Sequence, residues 1–88
     1  MKCEVEILNS LGLHARPAAQ FVKTARQFNS RISISRGGDV FSAAIILDVL
    51  SADLGCGAKC TIEADGPDAE AALQRLKELL AEFAASEP

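Results

Sequence analysis

One histidine is present, His14, set in Gly12-Leu13-His14-Ala15-Arg16-Pro17. Imidazole is substantially neutral near pH 7, so a ring nitrogen can act as a nucleophile. Pro17 is tolerated only in the first turn of a helix, which sets a helix start near His14 to Arg16. Backbone N–H groups at such a start, here of Ala15 and Arg16, favour an anion together with the helix dipole. Arg16 adds a permanent charge whose planar fork grips phosphate oxygens. These residues suit a phosphoryl group carried on the imidazole, where positioning and charge neutralisation do most of the work. A plainer reading fits the same residues, a histidine that only caps the helix. No second acid–base residue stands nearby in sequence, which argues against hydrolytic catalysis.

Charge around this segment is uneven. The chain carries a formal net charge of −3, yet no acid lies between Glu6 and Asp39, a stretch holding Arg16, Lys23, Arg26, Arg31 and Arg36. That pattern reads as a docking field for an anionic ligand or an acidic partner, or as solvated charge. The acidity of the whole chain speaks against nucleic acid as that partner, and without Trp or Tyr there is little to stack bases on. Three cysteines, Cys3, Cys56 and Cys60, give an odd count that argues against a disulfide framework, and they are too few for a zinc site. They read as small core or turn residues, and neither metal nor cofactor is expected.

Eighty-eight residues, 49% of them hydrophobic, suffice for one domain spanning 1–88 with a core of its own. No apolar run reaches the roughly 18 residues of a membrane span, and no signal-like segment opens the chain. A soluble cytoplasmic protein, without membrane insertion, is the expectation. There is no room for a separate substrate domain, so the chain should act against a larger partner.

The elements that must hold His14 follow from periodicity. Residues 2–8 alternate, with Cys3, Val5 and Ile7 on one face, and predict a half-buried strand. Residues 15–28 place Ala18, Phe21, Val22, Ala25 and Phe28 at helical spacing. Residues 31–36 alternate again, Gly37–Gly38 turns the chain, and 39–42 return as a short strand. Ser42 could cap a helix over 43–52. Residues 58–65 form a fourth strand with Cys60, Ile62 and Ala64 inward. A last helix starts at Gly66–Pro67 and buries Ala69, Ala72, Leu73, Leu76, Leu80 and Phe83, with 84–88 as a frayed tail. The order β-α-β-β-α-β-α predicts an α+β, two-layer open-faced sandwich: a four-stranded antiparallel sheet covered on one face by three helices. In the middle helix Ile45, Ile46, Leu47, Val49 and Leu50 are apolar nearly all round. A short surface helix cannot bury every side, so part of it should form an exposed apolar partner patch.

The segment LGLHARPAAQFV resembles the active-site segment of the HPr family, the histidine-containing phosphocarriers of the phosphoenolpyruvate-dependent phosphotransferase system. The length, the element order and GAKCTIEADGPDAEAAL extend the resemblance over nearly the whole chain. It implies a monomeric carrier and not an enzyme, which accepts a phosphoryl group from enzyme I on Nδ1 of His14, the pros nitrogen. The group would then pass to an enzyme II A-type component. It implies that Arg16 stabilises the phosphohistidine. Lys23 and Arg26 would meet acidic partner surfaces, with Ile46, Leu47 and Leu50 as the apolar part of the interface. Many members begin the middle helix with a serine that a dedicated kinase phosphorylates; gapless register from His14 to Gly57 puts Ile45 there. This departure leaves open an alternative, a regulatory HPr-like module of a nitrogen-type phosphorelay that does not feed sugar transport.

Overall fold

Alternation of apolar and polar residues builds the sheet. The computed structural model describes residues 1–9 and 12–85; Ser10 and Leu11, between the first strand and His14, lie outside the described residues. Strands β1 (Lys2–Glu6), β2 (Arg31–Arg36), β3 (Asp39–Ser42) and β4 (Lys59–Asp65) form one antiparallel sheet in the order β1-β4-β2-β3. Ile32, Ile34, Cys60, Ile62 and Ala64 face a layer of three helices, α1 (Ala15–Ala25), α2 (Ile46–Ser51) and α3 (Ala69–Ala85). The other face is polar and sets Lys2 opposite Glu63, Glu6 opposite Lys59, and Arg31 opposite Asp65. Such cross-strand charge complements help a sheet keep one face in water. The two-layer α+β sandwich with four antiparallel strands and three helices is therefore the architecture.

The core is one cluster centred on Phe21, Ile7, Ile34, Ile62, Leu76 and Val49. Phe21, on the buried stripe of α1 with Ala18, Val22 and Ala25, stabilises the fold by about 2–3 kcal/mol through burial alone. Helix α3 buries the expected stripe and adds Leu79 to it. Cys60 belongs to this core, Cys3 is half-buried, Cys56 lies exposed in a turn, and all three are free thiols. No described helix is long and apolar enough to cross a membrane.

Several boundaries differ from expectation, each for a local reason. Strand β1 ends at Glu6, because β4 begins only at Lys59 and the next bonds, Ile7 N–H to Ala58 and Gly57 N–H to Ile7, belong to a turn. Helix α1 ends at Ala25 and not at residue 28. Gln27 and Phe28 donate to the carbonyls of Thr24 and Ala25, the tightened bonds that close a helix. Phe28 still packs half-buried on the core from this turn. Ser42 does not cap α2, since Ala43 is held to the sheet by its N–H on the Ile32 carbonyl. The Ser42 hydroxyl accepts from Ala44 N–H instead, and Ile45 is the N-cap. Pro67 lies in a turn ahead of α3, and α3 continues through Ala84 and Ala85, where a frayed tail was expected; 86–88 lie outside the described residues.

Asp68 joins the start of α3 to the α1–β2 turn. Its carboxylate accepts from Asn29 N–H at 2.8 Å and from the Ser30 hydroxyl at 2.5 Å. The Ser30 hydroxyl first, then the Asn29 amide, hold its pKa below the usual aspartate value. A carboxyl with a lowered native pKa stabilises the fold above its unfolded pKa, and that contribution is lost as pH falls through the native one. The stability gap between wild type and Asp68→Ala, measured by urea unfolding, should be full at pH 7 and narrow below about pH 4. A gap that stays constant down to pH 2 would show that the bonds do not depend on the carboxylate's charge.

Candidate functional site

His14 is the N-cap of α1, with extended backbone angles (φ −87°, ψ −166°), and its side chain is exposed. Its carbonyl accepts the Ala18 N–H at 2.8 Å, the first bond of the helix ladder. Pro17 has no N–H, so the N–H groups of Ala15 and Arg16 precede the ladder at the positive end of the helix. The imidazole itself makes no capping hydrogen bond. A ring that is exposed and caps nothing does not hold the helix.

Two segments fix this arrangement. Before His14, Gly12 N–H donates to the Asn9 carbonyl at 3.0 Å, and the buried Asn9 Nδ2 donates to the Gly12 carbonyl at 2.7 Å. After α2, the Leu54 carbonyl accepts Leu13 N–H at 2.8 Å. Gly12 has φ +66° and lies against Leu54 and Gly55 so closely that a Cβ would meet the Leu54 carbonyl oxygen and stand 2.6 Å from Gly55 Cα. A cavity of about 230 Å³ results, lined by Leu13, His14, Leu50, Asp53, Leu54 and Gly55.

A second, open groove of about 430 Å³ lies between α1 and α2, lined by Ala19, Val22, Lys23, Arg26 and Ile46. Lys23, Arg26 and Ile46 are thus brought together, while Leu50 stands beside His14. Val49 is fully buried, but Leu47 is 70% exposed, Ile45 51%, Leu50 39% and Ile46 38%. The middle helix therefore leaves part of its apolar surface in solvent, as its all-round apolar pattern predicts. The run of five basic residues does not stay together. Arg16 and Lys23 are exposed on α1 and Arg26 at its C-cap, Arg31 lies opposite Asp65 on the polar sheet face, and Arg36 turns inward to the carbonyl of Ala52.

The sequence assigns no site role to Asn9, Asp53, Leu54 or Gly55, and it places Arg36 only among the basic residues of the docking field. The Asn-x-x-Gly spacing from Asn9 to Gly12 was a legible turn signature. The contacts of residues 53–55 with the His14 segment have none, since they join parts of the chain some forty residues apart.

Ile45 caps α2 with backbone only, no side-chain bond being made. Ile45→Ser would supply the missing acceptor for a first-turn N–H and should stabilise the protein by about 0.5–1 kcal/mol. A thermal melt should rise by about 4 °C. An unchanged or lower midpoint would show that packing of Ile45 outweighs the cap.

The class that fold and site define is an open-faced α+β sandwich with one histidine, exposed at the start of its first helix. The family model described as the PTS HPr component phosphorylation site matches residues 1–82. The phosphocarrier protein HPr of Haemophilus influenzae is 44% identical over 77 residues, covering 88% of this chain and 91% of that protein. The crystal structure of HPr-C-His from Thermoanaerobacter tengcongensis superposes with a TM-score of 0.94 at 34% identity, covering 100% of this chain and 99% of that one. An HPr dimer from the same organism gives a TM-score of 0.76 at 38% identity, covering 90% and 92%. The chain belongs to the HPr family, the phosphocarrier proteins of the phosphotransferase system.

Proposed function

We propose that the whole chain acts as one cytoplasmic unit that takes a phosphoryl group from phosphorylated enzyme I onto Nδ1 of His14 and hands it to an enzyme II A-type component. The observation that carries this reading is the exposed imidazole at the α1 start, free of any capping bond. In the first step the Nδ1 lone pair attacks phosphorus in line, a P–N bond forms, and the bond from phosphorus to the donor breaks. The second step is the same displacement with the acceptor's nucleophile attacking, which returns His14 to its starting state. The Arg16 guanidinium and the N–H groups of Ala15 and Arg16 neutralise charge on the phosphoryl oxygens in both steps. The chain turns over no substrate of its own. Incubation with phosphoenolpyruvate and enzyme I should add one phosphoryl group, read by intact mass at alkaline pH. Absence of the adduct would overturn the reading. Onward loss of the group to an enzyme II A-type acceptor separates a carrier from a regulatory module that only senses phosphorylation.

Docking uses Lys23 and Arg26 as the charged rim and Ile46, Leu47 and Leu50 as the apolar contact, with the protein acting as a monomer. Complementary charge speeds encounter and weakens with salt. Reversing Lys23 and Arg26 to Glu should raise the KM for this carrier in the enzyme I reaction by about tenfold and flatten its salt dependence. An unchanged KM at low and high salt would mean that the groove is not the docking site.

A further inference from the structure

Arg36 has no part in the docking groove or in the phosphoryl site, yet it is tied to the start of the turn that closes the site. Alternation in β2 puts Arg36 on the helix side of the sheet with Ile32 and Ile34. Its Nη1 donates to the Ala52 carbonyl at 2.8 Å and also to the Asp53 carbonyl. Ala52 is the C-cap of α2, and Asp53 follows it with φ +53°. Glycine usually fills this left-handed position after a helix, because a Cβ is unfavourable there. Most non-glycine residues hold such a conformation only at a cost. Aspartate is among the few that tolerate it, and here its carbonyl also meets a guanidinium on a central strand of the sheet. The next residue, Leu54, accepts the Leu13 N–H and packs on Gly12, and residues 53–55 line the cavity that His14 shares.

We propose that Arg36 is a positioning residue for phosphoryl transfer: by clamping the Ala52 and Asp53 carbonyls it holds residues 53–55 against Leu13 and so fixes the His14 site. The proposal rests on the phosphocarrier reading for its catalytic part. One planar guanidinium nitrogen with two N–H groups binds both carbonyls at once, whereas a lysine ammonium offers a mobile point charge. Transfer is sensitive to small displacements of the reacting group, so a loosened turn should slow the step without weakening docking.

Arg36→Met keeps the aliphatic bulk and removes the donors, and Arg36→Lys is the conservative comparison. Hydrogen exchange of the Leu13 amide, measured beside the Ile34 amide of the sheet as reference, should quicken at least tenfold in Arg36→Met while Ile34 stays protected. The rate constant for transfer from phosphorylated enzyme I should fall about tenfold, the KM for the carrier should move by less than about twofold, and Arg36→Lys should recover part of both. Unchanged Leu13 exchange overturns the clamp. A wild-type transfer rate despite quickened Leu13 exchange overturns the positioning role, as does equal quickening at Ile34, which marks general destabilisation. If the wild-type protein itself takes no phosphate, the phosphocarrier reading fails, and Leu13 exchange still decides whether the clamp exists.

Discussion

Replacing His14 with alanine is expected to abolish phosphoryl acceptance from enzyme I and phosphoenolpyruvate while leaving the fold intact. The chain has no other histidine. The ring is exposed and bonds to no first-turn N–H, so its removal takes away neither packing nor a cap. Surface changes of this kind alter stability by within about 0.5 kcal/mol. The helix keeps its first ladder bond, because the His14 carbonyl and not the side chain accepts the Ala18 N–H. Intact mass after incubation should show no adduct for His14→Ala, where wild type gives an acid-labile phosphate that survives alkali. An acid-labile phosphate on the variant would sink the assignment. A lowered melting midpoint would instead reveal a structural duty for the ring.

Gly12→Ala should produce the largest loss of stability among single-methyl changes near the site. Left-handed backbone costs a non-glycine residue about 1–2 kcal/mol. Gly12 adds a second term, since its Cβ would press on backbone atoms of Leu54 and Gly55, which cannot rotate aside as a side chain would. Together these should cost about 3 kcal/mol, a fall in midpoint on the order of 10 °C or more. The strain falls on the Leu13 N–H to Leu54 carbonyl bond, so phosphoryl transfer should slow as well. Gly37→Ala is the built-in control. Gly37 also has positive φ, +58°, but a Cβ there meets nothing within 4 Å. It should lose only the backbone part, about 1–2 kcal/mol. Equal losses at the two positions would show that the close approach of Gly12 to Leu54 and Gly55 is not what requires glycine.

Much of this protein is determined by local pattern. Two-residue alternation in 31–36 and 58–65 sets which side chains face inward. Helical spacing of Ala18, Phe21, Val22 and Ala25 sets the buried side of α1, and Pro17 beside His14 sets where that helix begins. The apolar excess of Ile45, Ile46, Leu47 and Leu50 over what six helical residues can bury predicts their exposure. These features depend on steric and periodic rules that act within a few residues. Tertiary structure decided the rest. Strand order β1-β4-β2-β3 pairs β4 with β1 and β2, strands far from it in sequence, which no local period encodes. The same is true of the basic stretch. Its residues are consecutive as charges along the chain, but strand alternation and helix geometry send Lys23 and Arg26 to a groove, Arg31 to the open sheet face and Arg36 to the carbonyls of Ala52 and Asp53. The far wall of the His14 cavity, Asp53 to Gly55, is joined to Gly12 and Leu13 by backbone contacts across some forty residues. Backbone atoms are the same in every residue, so such a contact leaves little trace in side-chain types beyond the glycine that permits it.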